Sequence, residues 1–202
     1  MDARSAFMLN PRSVYRALRG LVGLSALFCA TLGFASELVP APLRSAIIVR
    51  SAGYERGFAA RPGEAVLAVV LGKSGAPAED GHTMVSLFTK LLKETQISGR
   101  RTRVVQVTYD TAAKTVDELK MQRAEIVYFS SGLEGVVKSV PGLEGGIRRI
   151  LVCANGGDVA EGCTLGVERE GERPRLVLNL KQANANGLRF DPSLLRLVRI
   201  VR

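Results

Sequence analysis

The chain has 202 residues, with 28 Lys and Arg against 19 Asp and Glu, a net charge of +9, one histidine and no tryptophan. That inventory argues against most enzyme classes, which rely on histidine bases or on clustered metal ligands. With only 5% aromatics, the core must be built from Val, Leu, Ile and Ala.

Residues 1–35 read as a secretory signal peptide. Arg4, Arg12, Arg16 and Arg19 form a basic n-region, residues 21–34 an uncharged and mostly apolar run, and Gly33 and Ala35 small residues for cleavage. The run is shorter than the ~20 apolar residues that span a bilayer. Bulky Phe28 before Cys29 argues against a lipoprotein site. Four arginines and one aspartate leave with the segment, so the charge of +9 falls by three to +6. Residues 36–202 then form one exported domain by length, large enough to bury a sizeable core.

Leu43, Ile47, Tyr54 and Phe58 sit at helical spacing and predict a helix over residues 40–58, ended by Pro62-Gly63, although Gly53 and Gly57 lower its propensity. The unbroken apolar run 65–71 predicts a central parallel strand. Gly72-Lys73-Ser74 follows it, but Leu67 stands where a phosphate-binding loop needs glycine. Residues 83–94 predict a helix with Met84, Leu87, Phe88, Leu91 and Leu92 on its core face. Residues 103–109 alternate as a strand, 115–123 form a short helix with Val116 and Leu119 inward, and 126–129 form another buried strand. A helix over 133–140 precedes the Pro141-Gly142 turn, and 150–154 form a further strand. This alternation predicts an α/β domain of three layers, with a mostly parallel sheet flanked by helices. Segments 164–169 and 175–180 flank a turn at Gly171 and predict a C-terminal β-hairpin.

The tail carries further signals. Asn179 with Gln182 three residues later resembles a capping box for a short helix. Gly187 suits a C′ position, with Leu188 packing back. Asp191-Pro192 starts a second helix as N-cap and first residue. Leu194, Leu197, Val198 and Val201 would form its apolar stripe.

The order and spacing of Asn179, Leu180, Ala183, Gly187, Leu188, Leu194, Leu195 and Leu197 resemble the C-terminal signature of the YfiR-like (HmsC-like) family of periplasmic proteins. Two departures stand out. Phe190-Asp191-Pro192 replaces the small hydroxyl residues usual before the last helix, and Val198 replaces an alanine. The resemblance implies an N-terminal helix, a cysteine pair in the region of Cys153 and Cys163, and a tendency to form homodimers. It also implies a regulator that represses a membrane-bound diguanylate cyclase by docking on its periplasmic sensor domain, lowering cyclic-di-GMP and biofilm formation without catalysis or cofactor.

Cys153 and Cys163 remain after export, and an even pair in an exported chain suggests one disulfide. A loop this short would contribute roughly 2–3 kcal/mol. A plain staple, a redox-responsive bond and a free pair are all readings of the sequence; without nearby histidines the pair makes no zinc site. No G-x-S-x-G elbow occurs. His82 near a helix start and Asp117-Glu118 on a helix read as surface residues. Ser130, Ser131 and Gly132 follow a buried strand, where an open α/β sheet can form a ligand crevice, and carry the alternative reading of a small-molecule-binding sensory module. Arg189, Arg196, Arg199 and Arg202 cluster at the C-terminus as candidate partner-facing cations or as compensation for a helix dipole. Nucleic acid is excluded as a partner because the chain is exported and no aromatics interleave with the charges.

Overall fold

Every residue of Ala65–Leu71 is apolar, and the strand it forms, β1, is buried along its whole length. A strand buried on both faces needs cover on both, and the fold supplies it. The computed structural model describes residues 38–133, 135–139 and 148–201. The expected signal peptide, the Pro141-Gly142 turn and Arg202 lie outside them.

Among the described residues, β1 is joined by β2 (Thr102–Thr108), β3 (Ile126–Phe129), β4 (Ile150–Cys153), β5 (Leu165–Glu170), β6 (Arg173–Asn179) and β7 (Arg199–Val201). They form one sheet in the order β2-β1-β3-β4-β5-β6-β7, parallel throughout except for the antiparallel β5–β6 hairpin. The helices are α1 (Ala41–Ala52), α2 (Gly75–Glu94), α3 (Ala112–Met121), α4 (Val136–Ser139), α5 (Leu180–Ala185) and α6 (Pro192–Leu195), with a 3-10 turn at Gly156–Glu161. On one face, Leu67 and Val69 pack with Ile48, Met84, Phe88 and Tyr128. On the other, Val66, Ala68 and Val70 pack with Val116, Leu119, Val137, Cys153 and Cys163. The architecture is the three-layer α/β domain that the alternation of elements predicts.

Several boundaries differ from expectation for local reasons. Helix α1 stops at Ala52, short of Phe58. The Ser98 hydroxyl donates to the Gly53 carbonyl at 2.7 Å, and the following turns bring Glu55 into an antiparallel bridge with Phe190. Helix α2 begins at Gly75, well before 83, because Pro77 falls in its first turn, where a missing amide hydrogen costs nothing. Helix α3 starts at Ala112 because the Thr111 hydroxyl caps it, accepting from the Lys114 amide at 3.3 Å.

The largest correction is at the C-terminus. The expected amphipathic helix lasts only for α6, capped by Asp191, whose carboxylate accepts from the Ser193 amide at 2.9 Å. The chain then becomes β7, paired in parallel with β6 through Val177↔Arg199, Leu178↔Ile200 and Asn179↔Val201. Val198, Ile200 and Val201 are β-branched, and the outer edge of β6 offers them backbone partners that a surface helix would leave to water. Leu194 and Val198 are buried, but Leu197 is 72% exposed, which a continuous apolar stripe would forbid.

One close approach depends on glycine. A Cβ on Gly81 of α2 would land inside the Leu71 side chain of β1. Gly81→Ala should therefore cost about 1–3 kcal/mol by overpacking, seen as a lower urea midpoint with an unchanged m-value.

Candidate functional site

In this strand order the switch point lies between the C-terminal ends of β1 and β3, and Ser130, Ser131 and Gly132 follow β3 there. Their polar groups are engaged. The Ser130 hydroxyl, fully buried, donates to the Val70 carbonyl at 2.9 Å. Asp80 Oδ2 of α2 accepts from the Ser131 amide at 2.9 Å and from the Tyr128 hydroxyl at 2.8 Å. Arg44 of α1, 2% exposed, pairs with the other Asp80 oxygen and lies 5.9 Å from the Tyr128 ring centre. Gly132, at φ +88°, abuts Pro77. The chain's own carboxylate thus sits on the amide that a ligand would use. His82 and Asp117 are exposed. Nearby, Asp110 accepts from Lys114 at 2.7 Å and pairs with Lys73, which lowers its pKa to about 2.

The opposite end of the sheet gathers charge that the sequence reading did not single out. Arg100, entering β2, donates to both oxygens of Glu125, at 2.8 and 2.9 Å. Arg61 bridges Glu125 Oε2 at 2.8 Å and Glu55 Oε2 at 2.7 Å. Glu55, with a fully buried side chain, also accepts from the Gly57 amide at 3.1 Å and the Arg189 amide at 3.4 Å. The Arg100 guanidinium lies 4.8 Å from the centre of the Phe58 ring. Beside it, buried Arg149 donates from Nε to the Ala124 carbonyl at 3.1 Å, and burial lowers its pKa. Five chain segments meet here: the α1–β1 loop, the turn before β2, the start of β3, the start of β4 and the loop at Arg189.

This network floors a cleft of about 530 Å³, with Arg61, Arg123, Glu125 and Arg148 among its walls. Among the described residues its lining holds guanidinium and carboxylate groups but no hydroxyl, thiol or imidazole. Such a surface can recognise charge, and its carboxylate, Glu125, is already engaged by Arg61 and Arg100. Arg123 stands at φ +54°, in the left-handed region, which turns the chain from α3 into β3 at the rim of the cleft.

The C-terminal arginines do not form one row. Arg189 and Arg196 are exposed, and Arg202 lies outside the described residues. Arg199 is taken up by a bidentate pair with Glu168 of β5, both contacts at 2.6 Å, and that hydrogen bonding raises its pKa. Exposed Leu197 and Ile200 lie between these cations along the tail. Of the signature residues, Asn179 caps α5, accepting from the Gln182 amide at 2.9 Å; Gly187 sits at φ +67°; and Leu188 is buried. The Gln182 side chain turns to Asn186 rather than back to Asn179, so only half of the capping box forms. Leu194 is buried and Leu195 partly so. Cys153 and Cys163 form a disulfide, with Cα atoms 5.8 Å apart and both residues buried.

A family model described as YfiR/HmsC-like matches residues 42–199. Among solved structures, the chain is similar to a conserved domain protein from Vibrio cholerae, at 12% identity and a TM-score of 0.57, over 82% of this chain and 61% of that one. It is also similar to an ABC domain in complex with L-Trp from Streptococcus pneumonia, at 12% identity and a TM-score of 0.55, over 80% of this chain and 60% of that one. The chain spans about three-fifths of the length of these two structures, and at such identity the likeness is one of fold. No curated protein matches the chain.

Burial alone would raise the pKa of Glu125, but hydrogen bonds and charge from Arg100 and Arg61 outweigh it and hold the pKa below the ordinary value. Its contribution to stability is therefore complete above the usual glutamate pKa of ~4.3 and is lost as pH falls through the lowered value. Glu125→Gln should cost about 3–5 kcal/mol at neutral pH by leaving the buried Arg100 guanidinium without its carboxylate partner. It should also flatten the acid limb of stability measured by denaturant unfolding between neutral and strongly acidic pH.

Proposed function

Because the chain belongs to the YfiR/HmsC-like family of periplasmic regulators of membrane-bound diguanylate cyclases, we propose that it represses such a cyclase by docking on its periplasmic sensor domain. Docking lowers cyclic-di-GMP output and restrains biofilm formation. The family match over residues 42–199 carries this reading. The cleft, lined by charge-recognising groups, is in keeping with a protein that acts by binding. The docking face is the tail edge of the sheet, where exposed Arg196 adjoins Leu197, 72% exposed, and Ile200, 38% exposed. An apolar residue framed by cations fits a partner surface with an apolar pocket and an acidic rim. Arg199 supports this face from behind through its pair with Glu168.

A second reading is favoured by the cleft itself: guanidinium groups of Arg61, Arg123 and Arg148 around about 530 Å³ suit a small anionic ligand that adjusts docking. Thermal shift with a panel of carboxylates and phosphates tests it, and a flat response across the panel rejects it.

Leu197→Glu and Arg196→Glu should each weaken recovery of the cyclase from detergent-solubilised membranes by about tenfold or more, the loss expected of a central contact. Each should raise cellular cyclic-di-GMP while leaving the unfolding midpoint unchanged. Deletion of the gene with no rise in cyclic-di-GMP would reject repression.

A further inference from the structure

The charges around the cleft of about 530 Å³ do not balance. Arg100 and Arg61 are matched by Glu125 and Glu55, so the floor is neutral. Arg123 and Arg148, both exposed, have neither a hydrogen bond nor an ion pair from their side chains among the described residues. The backbone nevertheless fixes where both stand. Arg123 holds φ +54°, a conformation that costs a bulky residue about 1 kcal/mol or more. Glycine would make the same turn without that cost, so the worth of an arginine there lies in its side chain. Arg148 runs between two glycines. A Cβ on Gly57 would stand 3.1 Å from its Nη1, and one on Gly187 would stand 3.6 Å from its Nε. Gly57, Ala60 and Pro62 give the cleft one uncharged wall.

Resting on the reading of the cleft as an anion site, we propose that its ligand is a small organic dianion, held by Arg123 and Arg148, whose binding stiffens the tail turn. Two unmatched guanidinium groups select two negative charges; a monoanion leaves one of them unanswered. The volume is that of a site for an organic molecule, far larger than one inorganic ion needs. The carbon skeleton lies on the wall of Gly57, Ala60 and Pro62. Dicarboxylates and phosphate monoesters share this chemistry, because guanidinium binds either group through paired N–H donors. The link to the tail runs through Arg148, whose stem packs on Gly187 at the end of α5. Two residues on, the Arg189 amide donates to Glu55 and its carbonyl accepts from the Arg56 amide at 2.8 Å. A ligand that pins Arg148 therefore restrains residues 187–191, which set where α6 and Leu197 stand.

Calorimetric titration of the purified protein with glutarate, glycerol 3-phosphate, butyrate and inorganic phosphate tests the assignment. Glutarate or glycerol 3-phosphate should bind about tenfold or more tighter than butyrate, and the tighter of the two tells a dicarboxylate site from a phosphate-ester site. Inorganic phosphate, which lacks a skeleton, should bind more weakly than either. Arg123→Gln and Arg148→Gln should each weaken the tighter ligand by about tenfold or more, the loss of one charge-assisted contact. Neither should move the urea midpoint, since neither side chain has a partner to lose. Saturating ligand should slow amide hydrogen exchange over residues 187–191 in the wild type and in Arg123→Gln, but not in Arg148→Gln. Butyrate binding as tightly as both dianions overturns the dianion assignment while leaving an anion site. Affinity indifferent to both substitutions overturns the two-arginine clamp, and unchanged exchange over residues 187–191 in the saturated wild type overturns the link to the tail. No binding by any of the four up to millimolar concentration rejects the anionic-ligand reading together with this proposal.

Discussion

The burial of β1 on both faces is the constraint from which the rest of the fold follows. Seven consecutive apolar residues cannot face water on either side, so the chain must place helices above and below them. Helices α1 and α2 cover one face and α3 the other. The intimacy of that cover shows at Gly81, where even a methyl group would collide with Leu71. A sheet closed on both faces leaves only its ends and edges for polar business, and that is where the charged groups gather.

The two ends are used differently. At the C-terminal end, Asp80 is shared by Arg44, Tyr128 and the Ser131 amide, joining α1, α2 and the loop after β3. At the N-terminal end, Glu55, Arg61, Glu125 and Arg100 form an alternating run of charges, each carboxylate flanked by donors. Buried ion pairs repay their desolvation only when geometry is good and remaining lone pairs are satisfied. The bidentate Arg100–Glu125 pair and the two amides on Glu55 meet that condition. The network also ties the loop after α1 to the tail near Arg189, so the elements farthest apart in sequence are fastened by its charges.

The edges complete the picture. The tail fills one of them by adding β7 to β6, which turns a stretch that could have been helix into strand and leaves Leu197 and Ile200 in solvent. The other edge, β2, keeps four outward peptide groups and a buried hydroxyl without a partner. Open edges recruit strands unless something blunts them. In this protein the two edges differ in chemistry: one is short, basic and apolar, the other a longer strand of seven residues.

Much of this was legible in the residues themselves. Uninterrupted apolar runs mark β1, β3 and β4; Asn179, Gly187 and Asp191 mark caps and turns; and Cys153 and Cys163 mark a candidate disulfide. These features act over a few residues, and local stereochemistry governs them. What required the folded chain was any feature that depends on residues far apart. Glu55, Arg61, Arg100 and Glu125 carry no shared spacing, and only the sheet brings them together. The end of the tail was undecided locally, because Leu194, Leu197, Val198 and Val201 satisfy a helical period while Val198, Ile200 and Val201 favour a strand. The free edge of β6 resolved that ambiguity, since hydrogen bonds to a waiting strand outweigh a weak intrinsic preference.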